Sequence, residues 1–179
     1  DNLKIRICFD KHGKIRFTSH RDVARIWERT LRRASLPVSY SEGFSPRPKL
    51  SFGLALSTGH ESNAEYLDIE LDPERTDTTM DLESLATELS GHLPVGMSVI
   101  SMAFIDRQTP SLKEAVTSCT WQIDVHDADP VAVQESIDRL LDRDEVIRTT
   151  KRSASEALEY RGFLEHELTQ LWATRGEDY

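Results

Sequence analysis

The chain has little cysteine and no long apolar run. Its 179 residues contain two cysteines, Cys8 and Cys119, which form no Cys-x-x-Cys pair. The sequence therefore encodes neither a disulfide framework nor a zinc knuckle, and we expect both cysteines to pack as small hydrophobic residues. No apolar stretch approaches the roughly 18 residues that cross a bilayer, and the start lacks the regions of a secretory signal. We expect a cytoplasmic protein with no membrane segment.

The familiar catalytic and nucleotide-binding signatures are missing too. The sequence contains no Gly-x-Gly-x-x-Gly, no phosphate-binding loop of the Walker type and no Gly-x-Ser-x-Gly elbow. Its six histidines show no spacing typical of metal ligands. We therefore expect no metal site and no cofactor.

The charge, by contrast, is unevenly distributed. Residues 1–53 contain 12 Lys and Arg against 5 Asp and Glu, a net charge of +7. The remaining residues contain 10 against 26, a net charge of −16, and the whole chain carries −9. Such asymmetry indicates a phosphate-rich or acidic partner for the first third of the chain.

The hydropathy pattern over residues 1–106 predicts an α+β unit. Alternating apolar residues indicate strands near Leu3–Phe9, Leu50–Leu56 and Leu67–Leu71, and an apolar run at Met97–Ile105 indicates a fourth. Helical spacing predicts helices near His20–Ala34, with Ser19 as N-cap, and near 82–89. The order β-α-β-β-α-β predicts a ferredoxin-like antiparallel sheet with both helices on one face. Ile15 and Phe17 resume the first alternation, so we also expect a hairpin around Gly13.

Residues 110–179 predict a second, smaller α+β unit. Trp121–Val125 indicates a strand, Asp129-Pro130 a helix start, and Val146-Ile147 another strand. Ser153 begins a capping-box pattern that predicts a last helix reaching Trp172. The order β-α-β-α makes this unit a partial repeat of the first. Its last segment ends without an obvious stop signal, so we expect a truncated unit.

The first predicted helix carries a dense arginine stripe. Arg21, Arg25, Arg29 and Arg33 are spaced by four, and Arg32 lies beside them, so a helix places them along one flank. Arginine offers a rigid fork of donors that matches phosphate oxygens. The alternative is a solvated helix face in which Glu28 pairs with Arg32.

The segment Tyr40–Lys49 is a second candidate for binding. It combines hydroxyl groups, an aromatic pair, two cations and prolines, and a stiff loop binds at a lower entropic cost. If it packs beside the first helix, Ser41, Ser45, Arg47 and Lys49 extend the arginine stripe into a pocket. The alternative is a crossover loop whose serines cap turns and whose Phe44 fills the core.

Other polar residues have more ordinary interpretations. Lys4, Arg6 and Arg16 are expected on the sheet face opposite the helices, where Asp68 and Glu70 can pair with cations. His20 and Glu65 are weak candidates for catalysis, because a histidine beside a helix start is more often a capping or pairing residue.

Several motifs resemble a bacterial family. The similarity spans roughly residues 3–72 and weakens beyond Pro110, and its motifs are Arg16–Asp22, Glu28-Arg29, Arg32–Ala34, Leu36–Lys49 and Glu65–Asp68. The family is the radical-SAM-associated domain of unknown function, found fused to or encoded beside cobalamin-binding radical-SAM proteins. The motif positions carried over are Arg16, Ser19, His20, Arg21, Asp22, Glu28, Arg29, Arg32, Arg33, Tyr40, Ser41, Gly43, Phe44, Pro46, Arg47, Lys49 and Glu65.

The resemblance implies an accessory to a radical-SAM enzyme, with RNA processing or modification as the context. Two cysteines cannot hold the cluster of such an enzyme, which needs three. Our leading hypothesis is a non-catalytic module that binds structured RNA or another phosphate-bearing substrate. The alternatives are a subunit that docks on an acidic patch of a radical-SAM partner and an RNA-modifying enzyme that uses His20 and Glu65. The binding candidates are Arg16, Ser19, His20, Arg21, Arg25, Arg29, Arg32, Arg33, Tyr40, Ser41, Arg47 and Lys49.

Overall fold

A computed structural model describes residues 3–106, 108–143, 146–148 and 158–160. The chain separates into two compact units, Asp1–Val116 and Thr117–Tyr179, whereas the sequence pattern places the boundary at 106–110. The elements of the first unit are β1 (Leu3–Lys11), a 3-10 helix (Gly13–Phe17), α1 (His20–Arg33), β2 (Leu50–Phe52), β3 (Ser62–Leu71), α2 (Leu82–His92), β4 (Val99–Ile105) and α3 (Leu112–Ala115).

The first unit is built on a four-stranded antiparallel sheet. Its strand order is β2-β3-β1-β4, so β1 lies between β3 and β4. The long strands β1 and β3 pair from Leu3 opposite Leu71 to Lys11 opposite Ser62. The predicted mixed α+β class and the element order through β4 are confirmed.

Alternation along the strands creates one core. Ile5, Ile7 and Phe9 point to one face of the sheet, and the helices cover that face. The Phe9 and Trp27 rings meet edge to face with centroids 5.0 Å apart. The remaining buried members of this core are Val23, Leu31, Val38, Leu67, Ile69, Leu71, Leu89, Leu93 and Met97.

The predicted hairpin around Gly13 is wrong. Residues Gly13–Phe17 form a 3-10 helix, although the alternation of Ile15 and Phe17 predicts a strand. The reason is that both edges of β1 are already occupied, one by β3 and the other by β4. The His12 amide instead donates to the Gly96 carbonyl at 2.7 Å, which ties the turn after β1 to the loop before β4.

The sheet face opposite the helices holds a two-pronged ion pair. Arg6 donates from Nε to Asp68 Oδ1 at 2.8 Å and from Nη2 to Asp68 Oδ2 at 2.9 Å. The same Nη2 donates to the Pro110 carbonyl at 3.0 Å. The hydrogen bond that Arg6 donates to the Asp68 carboxylate raises the pKa of Arg6. Cross-strand pairing is therefore confirmed for Arg6, whereas Arg16 lies in the 3-10 helix and not on the sheet.

The second unit differs from the predicted β-α-β-α order. The helix after Asp129 is confirmed as α4 (Pro130–Leu141), with the Asp129 side chain accepting from the Val131 amide, and β5 (Val146–Arg148) follows. The strand predicted at Trp121–Val125 is absent, since residues 117–128 form neither helix nor strand. β6 (Leu158–Tyr160) pairs with β5 and replaces part of the predicted last helix. The rest of that helix lies outside the described residues.

Two further expectations concern single features. Within the described ranges, no helix is long and apolar enough to cross a bilayer. Of the two cysteines, Cys8 in β1 is buried and Cys119 is exposed, so the expected burial holds for Cys8 and not for Cys119.

A candidate phosphate-binding cavity

The N-terminal cap of α1 fixes the orientation of the arginine-rich helix. The Ser19 hydroxyl oxygen accepts from the Asp22 amide and the hydroxyl donates to Asp22 Oδ2 at 2.7 Å. This hydrogen bond, followed by one from Arg25, lowers the pKa of Asp22. The predicted N-cap is therefore confirmed, and α1 starts at His20. Ser19 is engaged by this cap.

All five arginines of the stripe are exposed on α1. Arg25 donates to Asp22 Oδ1 at 3.1 Å, an exposed pair of the kind that contributes little stability. The predicted Glu28–Arg32 pair is not formed within the described part of the chain. Most of the stripe is therefore not neutralised by neighbouring carboxylates. Its members are Arg21, Arg25, Arg29, Arg32 and Arg33.

The loop after α1 forms an ordered arm, residues 39–49, that is held by its own hydrogen bonds. The Ser41 amide donates to the Arg47 carbonyl at 2.8 Å, and the Arg47 amide donates to Ser41 Oγ at 3.1 Å. One step further along, Tyr40 bridges to Pro48 and the Lys49 amide donates to the Ser39 carbonyl at 2.9 Å. These contacts join residues 39–41 to residues 47–49 and leave the five residues Glu42–Pro46 as the tip of the arm.

Phe44 lies at that tip and is fully exposed. The alternative in which Phe44 fills the core is therefore wrong. Gly43, directly before it, has a φ of +120°, a backbone conformation that other residues rarely adopt. Tyr40 at the base of the arm is 47% exposed.

The helix and the arm meet at one cavity. Its volume is about 200 Å³, and it is lined by Arg21, Ala24, Arg25, Glu28 and Arg47. Arg21, Arg25 and Glu28 are three or four residues apart, so they lie on neighbouring turns of one side of α1. Both arginines are exposed and Glu28 is half-exposed. Arg47 comes from the arm, 19 residues after Glu28 in the sequence. Three guanidinium groups and one carboxylate therefore surround a single concavity.

Several predicted binding residues are engaged elsewhere. Arg16 pairs with Glu61 at 3.0 Å and lies over the Phe17 ring. Lys49 pairs with Glu70 at 2.8 Å, and Ser41 accepts the Arg47 amide. Arg29, Arg32 and Arg33 belong to α1 but do not line the cavity. Of the predicted binding residues, Arg21, Arg25 and Arg47 are the three that line the cavity and could contact a ligand there.

His20 and Glu65, the weak candidates for catalysis, belong to α1 and β3 and do not line the cavity. The His20 ring meets Phe52 edge to face at 5.0 Å. Glu65 lies opposite Phe9 in the sheet, and burial raises the pKa of its carboxyl group. A hydrogen bond with the Ser62 side chain and the charges of Lys11 and His20 act in the opposite direction on the pKa of Glu65. Among the hydrogen bonds and ion pairs of the described chain, none joins the two side chains directly.

Lys11 interacts with Glu65, although it is not among the residues that the sequence pattern predicts for a site. Its side chain is only 2% exposed, and Nζ donates to the Thr18 carbonyl at 2.9 Å. Burial lowers the pKa of Lys11, while the Glu65 carboxylate acts in the opposite direction. The alternation of β1 could have predicted this burial, because Lys11 lies two residues after Phe9 and so shares the face of Ile5, Ile7 and Phe9.

These features define a mixed α+β protein with a small cationic cavity between its first helix and a stiff arm. The described residues contain no cluster of three or more His, Cys, Asp or Glu side chains able to hold a metal ion. Residues 4–171 match the model of a family described as an uncharacterized protein conserved in bacteria, DUF2344, and the chain belongs to that family. Comparison with the curated proteins finds no match.

Proposed function

We propose that this protein is a non-catalytic accessory module that binds a phosphate-bearing ligand, RNA above all, in the cavity between α1 and the arm. The observation that carries the proposal is the convergence of Arg47 with Arg21 and Arg25 on one concavity. Guanidinium groups match phosphate oxygens in geometry as well as in charge. The arm is already ordered by its own hydrogen bonds, so binding costs little conformational entropy there.

The charges around the cavity suit a small anion. The lining residues carry three positive charges and one negative charge, and Asp22 adds a further negative charge beside Arg25. Residues beyond 53 carry a net charge of −16, which repels a long polyanion. A ligand with one phosphate group at the cavity fits both observations better than an extended duplex.

The partner in this proposal is a radical-SAM protein. The support comes from the motif resemblance over residues 3–72 and from the two cysteines, too few for a radical-SAM cluster. In this proposal the module holds the substrate while the radical-SAM partner supplies the chemistry.

The fold adds support for the finer fold assignment. Read from the β4 edge, the strand order of the sheet is β4-β1-β3-β2, the order of a ferredoxin-like sheet.

Binding to a labelled RNA hairpin with a single-stranded overhang tests the proposal. Raising the salt from 50 to 200 mM should lower the affinity about threefold if one phosphate is neutralised. The double variant R21A/R47A should lose about tenfold or more, because two charge-assisted contacts disappear. The matched control is R75A, which removes an exposed arginine outside the cavity. Binding that is absent, or that ignores both salt and R21A/R47A, overturns the proposal.

A second candidate is docking on an acidic patch of the partner. Arg29, Arg32 and Arg33 favour it, because they are exposed on α1 and do not line the cavity. The triple variant R29A/R32A/R33A should then lose the co-purifying partner and reduce the affinity for RNA far less than R21A/R47A does. Co-purification of the partner with this variant at the wild-type level contradicts docking through these arginines.

A further inference from the structure

The cavity is too small for a whole nucleotide. Its volume of about 200 Å³ equals roughly six or seven water molecules at about 30 Å³ each. Pockets that enclose a drug-sized ligand run from about 300 to 1,000 Å³. A phosphate group fits, and the rest of the ligand must therefore lie outside, on the surface beside the arginines.

The surface next to Arg47 is the tip of the arm. Phe44 precedes Arg47 by three residues, and both belong to the segment that the two Ser41–Arg47 hydrogen bonds close. A single exposed apolar side chain is common on proteins and needs no explanation alone. Phe44 differs because its ring is fully exposed on the same hydrogen-bonded arm that supplies a cavity arginine.

The arm offers a second ring at its base. Tyr40 is 47% exposed and is held by its bridge to Pro48. Exposed aromatic rings beside cationic groups are the elements with which proteins bind single-stranded nucleic acid, because unstacked bases pack on the rings while arginines hold the backbone. A base inside a duplex has no free face for such a ring.

We infer that the ligand of the cavity is a single-stranded RNA segment, with one phosphate between Arg21, Arg25 and Arg47 and a neighbouring base stacked on Phe44. This inference rests on the proposed function and narrows its ligand from RNA in general to unpaired nucleotides. The net charge of the cavity accounts for one phosphate, and the acidic remainder of the chain limits the segment to a few nucleotides.

The test compares a fluorescein-labelled single-stranded RNA hexamer with its duplex and uses inorganic phosphate as competitor. Wild-type protein should bind the single strand about tenfold or more tightly than the duplex. F44A and F44L should weaken binding to the single strand about tenfold, the effect of losing one stacked base, whereas F44W should retain it. V95A is the matched control, since Val95 is another fully exposed apolar side chain, in the loop before β4.

The outcomes separate this inference from the proposed function. If R47A weakens binding about tenfold while F44A and F44L bind like wild type, the phosphate site stands and the stacked base is overturned. Equal affinity for duplex and single strand overturns the inference in the same way. If neither the single-stranded hexamer nor its duplex binds, the proposed function falls with the inference. If RNA binds but inorganic phosphate does not displace it, the phosphate site is overturned as well. Circular dichroism melts of the Phe44 variants should match wild type, since Phe44 is fully exposed.

Discussion

The Lys11 ammonium group donates a 2.9 Å hydrogen bond to the carbonyl oxygen of Thr18 from a nearly fully buried side chain. This bond connects the end of β1 to the residue that directly precedes the Ser19 cap of α1. Lys11 thereby helps to set where the arginine-bearing helix begins. Burying a charge is costly, and the lowered pKa of Lys11 reflects that cost.

Lys11 gives the protein an alkaline pH dependence. Because its pKa is lower in the folded state, the folded protein binds fewer protons between the folded pKa and the unfolded value of about 10.4. The free energy of unfolding should therefore rise with pH as the folded pKa is passed. K11M should remove this rise and stay within about 1 kcal/mol of wild type at pH 7, since it loses one hydrogen bond and one buried charge.

Urea unfolding from pH 7 to pH 10 measures this effect. K14M is the control, because Lys14 is exposed in the 3-10 helix. Parallel pH profiles for wild type and K11M contradict the assignment to Lys11.

Glu65 and Glu61 should affect the pH dependence of stability in opposite directions at acidic pH. Burial raises the pKa of Glu65, so stability should fall as pH rises from about 4.3 through the folded pKa. Hydrogen bonds from the Gly13 amide and Arg16 lower the pKa of Glu61, so stability should rise as pH increases toward the unfolded value. From pH 3 to pH 7, E65Q should gain stability relative to wild type and E61Q should lose it. Denaturant midpoints at each pH measure both, and shifts of the same sign refute the prediction.

The Arg6–Asp68 pair should matter far more than the Asp22–Arg25 pair. R6M leaves a carboxylate that is 8% exposed without its two donors, which should cost about 2–3 kcal/mol. R25M breaks an exposed pair and should cost less than about 1 kcal/mol, while weakening RNA binding. Chemical denaturation of the two variants measures the contrast. Equal costs would show that Asp68 is solvated in solution.

Gly96 should not tolerate a side chain. Its φ is +94°, and a Cβ there would collide with the His12 carbonyl, which belongs to the turn after β1. G96A should therefore destabilise the protein by about 2 kcal/mol or more. G91A is the matched control: Gly91 is in α2 with open space around it, so alanine should stabilise by about 0.5–1 kcal/mol. Thermal melts of both variants decide, and a G96A protein as stable as wild type contradicts the collision.

Arg47 and Lys49 should differ in binding although they are near neighbours in the loop. Arg47 lines the cavity, while Lys49 is held 2.8 Å from Glu70. R47A should weaken binding to the RNA hairpin about tenfold, and K49A should change it less than twofold. Fluorescence anisotropy titrations compare the two. A larger loss for K49A would move the phosphate contact away from the cavity.

The sequence by itself determined the local elements. Period-two alternation located β1 and β3, helical spacing with Ser19 and Asp22 located α1 and its start, and the i, i+4 spacing placed the arginines on one helix. These features depend on residues within a few positions of each other, where propensity and capping act directly.

Only the tertiary structure decided which of those residues work together. Strand pairing left no free edge for Ile15 and Phe17, directed Lys11 into the interior and gave Arg6 its partner 62 residues away. Packing of the arm beside α1 places Arg47 at the same cavity as Arg21 and Arg25. Lys49, which follows Arg47 by two residues, instead forms an ion pair with Glu70. Such contacts depend on strand register and loop path, and no periodicity of a single segment encodes the distance between two of them.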